Sequence, residues 1–436
     1  MTTERLALQI LLKVTQEGAF ANLALKEALS DERPKDVGRL TALVYTTIEH
    51  LNYCDHIIDS YAKGRLHGSV RGILRLAVAE MFFMDTPDHA VCNKAVKLTE
   101  SIGKGKLKGF VNGVLRNIAR DRASGDLPKL PESFPERMRI LSGYPEFMVE
   151  EYTEDYGEGF AEELMLAAVR GVALRAVPPL TADELASHLD GLGIPYRRSE
   201  LADDCVVALN FKGDITKDEL FIKGLAAVQS ESAMLACRCL DPKPGMNVLD
   251  ACAAPGGKTA YLSDLMKRQG RITAWDVHPH RVELIKNTLE RLGVRNALLE
   301  TRDASKKDES LCDSFDAILL DVPCSGLGGG SKPDARLRRT NESIDELANI
   351  QYSILETCSA YLKKGGALVY STCTLSDRED EHVVERFLNE HNEFGLESLA
   401  DLLPDKLKQR GEKGMLRLFP NVDDTEGFFI AKLRRK

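Results

Sequence analysis

Two cysteines far apart in the chain stand in matching surroundings. Cys324 follows the apolar run Ala317-Ile318-Leu319-Leu320 through Asp321-Val322-Pro323, and Cys373 follows Ala367-Leu368-Val369-Tyr370 through Ser371-Thr372. Each lies just past a stretch of central-strand character, after a rigid or polar turn. A lone free cysteine is most often a small buried residue, but two in equivalent positions point to nucleophilic chemistry. The reaction that uses such a pair is substitution at an unreactive ring carbon. Carbon 5 of a cytosine is too weak a nucleophile to attack a sulfonium methyl group, whereas a thiolate adding at carbon 6 makes carbon 5 enamine-like. An acid near N3 or the exocyclic amine supports that addition, and Asp321 stands at the strand end two residues before Pro323-Cys324. A base must then remove the carbon 5 proton so that the thiol can leave. Residue type and spacing leave open which cysteine attacks.

The methyl donor has its own candidate loop. In Asn247-Val248-Leu249-Asp250-Ala251-Cys252-Ala253-Ala254-Pro255-Gly256-Gly257-Lys258-Thr259 a strand stops at an acid, turns through small residues and glycines, and opens a helix. Such a turn aims unpaired N–H groups beyond the strand's carboxyl end, and glycine permits close backbone approach. The first glycine of a phosphate loop would fall at Cys252, and G-x-G-x-x-G is missing. The strand Arg271–Asp276 ends in an acid about twenty residues on, where a ribose-binding carboxylate belongs, and the run Leu298–Asp303 ends the same way. Three strands ending in Asp suit a positively charged nucleoside better than a polyphosphate, and S-adenosylmethionine is such a ligand.

These residues need a sheet to align them. Residues 236–436 alternate strand and helix, the pattern of a mostly parallel, doubly wound α/β domain. Ligands there sit outside the carboxyl ends of the strands where their order reverses, so the strands ending at Asp250, Asp321 and Cys373 should be neighbours. Met415–Pro420 and Gly427–Leu433 read as an antiparallel pair at the sheet edge. Upstream, residues 1–125 are helical in period: Leu6, Ile10, Leu11 and Val14 share a face, as do Leu40, Leu43, Val44 and Leu51. Residues 123–145 form a Pro-punctuated linker. Residues 146–235 read as a small α+β unit with strands at 172–177 and 205–209 and a capped helix from Thr181.

With 436 residues the chain exceeds one core. Its apolar fraction of 43% and charged fraction of 29% are those of an ordinary globular protein. No apolar stretch is long enough to span a membrane and no signal peptide pattern opens the chain, so a cytoplasmic location is expected. A monomer is expected because no repeated apolar surface stripe is evident. The ten cysteines show no C-x-x-C pairing, so neither a metal site nor a disulfide framework is expected, and Cys54, Cys92, Cys205, Cys237, Cys239, Cys312 and Cys358 are expected to pack as small buried apolar residues. The net charge of −9 is unevenly spread: +4 over residues 1–125, −11 over 126–235 and −2 over 236–436. The acidic middle is a poor nucleic-acid surface, while Lys104, Lys106 and Lys108 beside a helix start suit phosphate.

Asp88-His89-Ala90-Val91, Asn93-Lys94-Ala95-Val96 and Gly109-Phe110-Val111-Asn112-Gly113-Val114-Leu115-Arg116 resemble the helical RNA-binding domain of the NusB family over residues 3–122. Asp250–Thr259, Asp321-Val322-Pro323-Cys324-Ser325-Gly326 and Ser371-Thr372-Cys373-Thr374 resemble the NOL/NOP/Sun family of RNA cytosine-5 methyltransferases. Members that combine both parts act on small-subunit (16S) ribosomal RNA. The resemblance implies three parts: an all-α NusB-like bundle, a small α+β unit and a Rossmann-like methyltransferase domain. It implies that Cys373 is the nucleophile and that Cys324 assists release of the methylated RNA. It also implies that Cys252, Ala253, Ala254, Pro255, Gly256, Gly257 and Lys258 hold the methionine part of S-adenosylmethionine, with Asp276 on the ribose and Asp303 on the adenine side. Asp321 would face both the methyl-bearing end and the cytosine. The partner is ribosomal RNA, free or in an early small-subunit assembly intermediate.

Several positions depart from the family pattern. Paired arginines expected after Pro-Cys-Ser give way to Gly328-Gly329-Gly330-Ser331-Lys332-Pro333-Asp334, with Arg336, Arg338 and Arg339 downstream; the Arg-x-Asn segment reads Arg175-Ala176-Val177, and Asn421 replaces a usual His. The competing readings are a non-catalytic RNA-binding assembly factor and the same chemistry on transfer RNA. Retention of both Cys324 and Cys373 speaks against the first.

Overall fold

The computed structural model describes the chain except residues 1, 32, 33, 35, 210, 212 and 330–332. It divides into two compact units, Met1–Leu166 with Ser331–Thr340, and Ala167–Gly330 with Asn341–Lys436.

The first unit is helical. Helices α1 (Thr3–Gln16), α2 (Ala21–Asp31), α3 (Val37–Glu49), α4 (Leu51–Tyr61), α5 (Gly68–Phe83), α6 (Asp88–Ser101) and α7 (Lys108–Ser124) enclose one apolar core. The core is set by the 3.6-residue period: Leu6, Ile10, Leu11 and Val14 of α1 are all buried, as are Leu40, Leu43 and Val44 of α3. Thr2 caps α1 by accepting a hydrogen bond from the Arg5 N–H, and Gly125, at φ +81°, ends α7. The expected linker holds a helix of its own, α8 (Phe134–Ser142), with Pro135 in its first turn and Gly143 at φ +73° after its end. Two more helices, α9 (Glu146–Tyr156) and α10 (Glu158–Leu166), complete this part, so helices rather than mixed structure fill residues 146–166. Proline at a helix start punctuates a sequence without breaking the helix, which is why the linker reading missed α8.

The second unit holds two sheets. The small one is antiparallel, ordered β2-β3-β1-β4, from β1 (Val172–Ala176), β2 (Tyr196–Arg198), β3 (Cys205–Ala208) and β4 (Ala226–Val228). Its helix α11 (Ala182–Gly191) opens on a capping box between Thr181 and Glu184. A single turn, α12 (Glu219–Ile222), and α13 (Glu231–Leu240) lead to the large sheet. Its strands are β5 (Asn247–Asp250), β6 (Arg271–Asp276), β7 (Ala297–Thr301), β8 (Phe315–Asp321), β9 (Leu362–Thr372), β10 (Phe394–Leu396), β11 (Met415–Leu418) and β12 (Phe428–Arg435). The order is β10-β12-β9-β8-β5-β6-β7, with β11 pairing beside β12. Strands β9, β8, β5, β6 and β7 run parallel, and β12 is antiparallel to β9, β10 and β11.

The order reverses between β5 and β8, so the strands ending at Asp250 and Asp321 lie side by side, with β9 next to β8. The antiparallel pair β11/β12 forms, but β12 is not the edge; β10 and β11 share its outer side. Helices α14 (Gly257–Leu265), α15 (Pro279–Arg291), α17 (Asn341–Ser359) and α18 (Glu381–Glu390) flank this sheet. The short helix α16 (Pro333–Arg336) belongs to the first unit. There Asp334 accepts the Ala21 N–H, Arg336 donates to the Ser142 carbonyl and stacks on Tyr144, and Arg338 donates to the Ala19 carbonyl and stacks on Phe20. Among the described residues no helix is long and apolar enough to cross a membrane. All ten cysteines are free; Cys312 departs from the expected buried set by sitting half-exposed beside Glu309.

Candidate active site at the sheet switch point

The turn after β5 is locked from both sides. The Ala251 N–H donates to Leu319 of β8 and the Ala253 N–H to Trp275 of β6, so the loop straddles its two neighbouring strands. Gly256 sits at φ +102° immediately before α14. A Cβ there would lie 3.1 Å from Ile285 Cα, so glycine is required both for the backbone angle and for helix–helix approach. Asp250 is fully buried and accepts a hydrogen bond from Thr259 Oγ1 at 2.7 Å. Burial pushes its carboxyl up to about 7 against that bond.

The other strand-end acids line up beside it. Asp276, 3% exposed, accepts the His278 N–H at 3.0 Å and pairs with Arg281 at 3.1 Å. Asp303, half-exposed after β7, accepts the Ser305 hydroxyl at 2.6 Å and N–H at 3.0 Å. The Ser305 hydroxyl, more than Lys306, holds its carboxyl below the ordinary range. A buried carboxylate at the end of β6 beside a glycine turn that opens a helix is the arrangement that a nucleoside bearing an amino acid requires, so these residues fit S-adenosylmethionine.

Lys258 is not spare for a ligand phosphate. Its Nζ donates to Asp321 Oδ2 at 2.7 Å and lies 5.9 Å from the centre of the Phe428 ring. Burial alone would lower the ammonium's pKa, but Asp321 raises it above its usual value, so the charge is retained. The other carboxylate oxygen of Asp321 accepts from the Ser371 hydroxyl at 3.1 Å, which ties the end of β8 to β9.

Cys324 and Cys373 meet at this rim. Their sulfur atoms are 3.1 Å apart, and the Cys373 N–H points at Cys324 Sγ from 3.3 Å. The hydrogen bond to Cys373, burial and the charge of Cys373 together push the Cys324 thiol far up. Both side chains are half-buried. The turn carrying Cys324 is clasped to β9 and β12: the Gly328 N–H donates to the Cys373 carbonyl, and the Gly427 N–H donates to the Gly328 carbonyl at 2.8 Å. A Cβ on Gly328 would fall 2.3 Å from the Gly427 oxygen. Part of the glycine run therefore serves close backbone crossing, while Gly330, Ser331 and Lys332 lie outside the described residues.

Sequence reasoning missed the polar groups that hold these turns. Ser325 donates its N–H to Glu379 Oε1 and its hydroxyl to Thr374; Thr372 donates to Asp380 at 2.5 Å. Glu379 and Asp380 sit in Asp377-Arg378-Glu379-Asp380-Glu381, whose composition resembles any solvated charged turn. Yet both are fully buried. In the helical unit, Lys104, Lys106 and Lys108 flank the start of α7, and Lys108 pairs with Glu100 at 2.7 Å.

Comparison with known proteins sharpens this picture. Residues 237–434 match the profile of a family described as 16S rRNA methyltransferase RsmB/F, and residues 1–120 match that of the NusB family. A probable ribosomal RNA small subunit methyltransferase B of Bacillus subtilis is 36% identical, over 99% of this chain and 98% of its own length. A ribosomal RNA small subunit methyltransferase F of Aeromonas hydrophila is 41% identical over 49% of this chain and 46% of its own. A solved methyltransferase homolog from Pyrococcus horikoshii superposes with a TM-score of 0.60 at 32% identity, covering 70% of this chain and all of that one.

Proposed function

Because this chain belongs to the RsmB/F family of 16S rRNA methyltransferases, we propose that it methylates carbon 5 of a cytosine in 16S ribosomal RNA through a covalent adduct between Cys373 and carbon 6. The observation that carries this reading is the 3.1 Å separation of the Cys324 and Cys373 sulfurs beside the Lys258–Asp321 pair. S-adenosylmethionine, when bound, supplies an electrophilic methyl group. Cys252 to Lys258 hold its methionine part, Asp276 its ribose and Asp303 its adenine side.

The chain's own residues then divide the work. The Cys373 thiolate adds to carbon 6, and the electron pair of the ring double bond moves to carbon 5. Asp321, fixed by Lys258 and Ser371, accepts hydrogen bonds from the cytosine's N–H groups and orients the ring. Once carbon 5 is methylated, Cys373 is a thioether and no longer shares a proton with Cys324. The Cys324 thiol, having passed its own proton to solvent, takes the carbon 5 proton as a thiolate, the C–H electrons restore the ring double bond, and Cys373 leaves as thiolate. The NusB-like bundle, with Lys106 and Lys108 exposed at the start of α7, brings the RNA. We place the enzyme in the cytoplasm as a monomer acting on free RNA or an early small-subunit intermediate.

The test is methyl incorporation from labelled donor into unmodified 16S rRNA. Cys373→Ala is expected to lose about 10⁴-fold or more, and incorporation equal to wild type would remove Cys373 from its role. Cys324→Ala is expected to accumulate a protein–RNA band on a denaturing gel that nuclease collapses.

A further inference from the structure

The two peptide groups that flank Cys324 are both gripped from outside its turn. The Pro323 carbonyl accepts from Gln351 Nε2 at 2.9 Å, and the Ser325 N–H donates to Glu379 Oε1 at 2.8 Å. Gln351 also donates to Glu379 Oε1 at 2.9 Å, which closes a loop of contacts around the cysteine. The Tyr370 hydroxyl donates to the Glu379 backbone carbonyl at 2.6 Å and lies 3.3 Å from Gln351 Oε1. Three elements contribute: Gln351 from α17, Tyr370 from β9 and Glu379 from the turn before α18.

Stability does not explain the acid. Glu379 is fully buried, its Oε2 has no hydrogen-bond partner, and no ion pair is formed by it among the described residues. Burying a carboxylate on these terms is costly. The neighbouring Asp380 receives the hydroxyl of Thr372, one residue before Cys373. Two consecutive acids thus reach the two turns that carry the thiols.

We propose that Glu379, acting with Gln351, is a positioning residue that fixes the Cys324 turn so that its sulfur faces Cys373 and the carbon 5 proton. This rests on the release role given to Cys324 above. Glu379 is fully buried behind the turn and reaches the reacting atoms only through Cys324, so it governs release rather than methyl transfer. A looser turn would leave the adduct formed and methylated but slow to resolve.

The experiment uses the full chain, labelled S-adenosylmethionine and unmodified 16S rRNA. Glu379→Ala is expected to keep the first-turnover methylation rate and the apparent KM for the donor. Its kcat should fall about 10- to 100-fold while the covalent protein–RNA band accumulates, as expected for a displaced catalytic group. Glu379→Gln keeps an acceptor for the Ser325 N–H and is expected to return kcat to within about threefold of wild type, as orientation rather than charge is needed. Gln351→Leu removes the contact to Pro323 and is expected to trap adduct as Glu379→Ala does, which keeps the test available if the latter fails to fold. If Cys324→Ala traps adduct but folded Glu379→Ala and Gln351→Leu release product at the wild-type rate, the positioning role is overturned. If Cys324→Ala itself traps nothing, the release reading falls and this inference falls with it.

Discussion

Helices α1–α7 and the rim of the large sheet are held by different kinds of contact. The bundle buries a continuous set of Leu, Ile, Val and Ala side chains, and its buried acid, Glu80, is paired with Arg39 and Lys94. The rim buries Asp250, Ser325, Gln351, Ser371, Thr372, Thr374, Glu379 and Asp380, drawn from four separate segments of the chain. Apolar contacts are non-directional and shared among many partners, so losing one costs stability and leaves geometry intact. Polar contacts are directional and individually assigned, so losing one moves a particular atom. The bundle therefore tolerates change in sequence, whereas the rim tolerates little change in position.

This contrast can be broken by substitutions on either side. The largest effect is expected from Leu74→Ala in α5, where a fully buried leucine leaves a cavity. It should cost about 2–5 kcal/mol of the helical unit's stability while leaving methyl transfer per folded molecule unchanged; a change in single-turnover rate at low temperature would contradict the division. Next comes Asp276→Ala, expected to weaken S-adenosylmethionine binding about 10- to 100-fold, the worth of charge-assisted hydrogen bonds. Calorimetry on folded protein decides that, and an unchanged affinity would remove Asp276 from the ribose. A smaller effect belongs to Asp303→Ala, about threefold in the same titration, because this acid is half-exposed and already occupied by Ser305.

An effect of pH is expected as well. The raised pKa of Asp250 means that the folded chain retains a proton which the unfolded chain releases near pH 4. The stability this group contributes is present below about pH 4, declines as pH rises, and is lost above about 7. Asp250→Asn should therefore gain relative to wild type between pH 5 and pH 8 in denaturant unfolding. An offset that is the same at both pH values would show that Asp250 does not titrate in this window.

How much of this was legible beforehand varies by region. The repeat of Leu6, Ile10 and Val14, the capping box at Thr181 and the strand–turn–helix at Asp250 to Thr259 could all be read locally, and each formed as expected. Helix α8 was hidden by its prolines, and the interior place of β12 by the brevity of β10, three residues long. At the rim, the strand-end acids and both cysteines were named from type and spacing. Glu379 and Gln351 were not, because a charged turn and a helical glutamine carry no mark of burial.

By itself the sequence determined which residues could carry the chemistry, since strand ends, glycine turns and thiols announce themselves within a few neighbouring positions. Only the tertiary structure decided that Cys324 and Cys373 stand 3.1 Å apart and that Glu379 braces one of them. The reason is physical: period and propensity act over one or two turns of chain, whereas the pairing of β8 with β9 joins segments about fifty residues apart. Which polar groups meet across such a junction depends on register and burial, and neither is written in any single stretch of the chain.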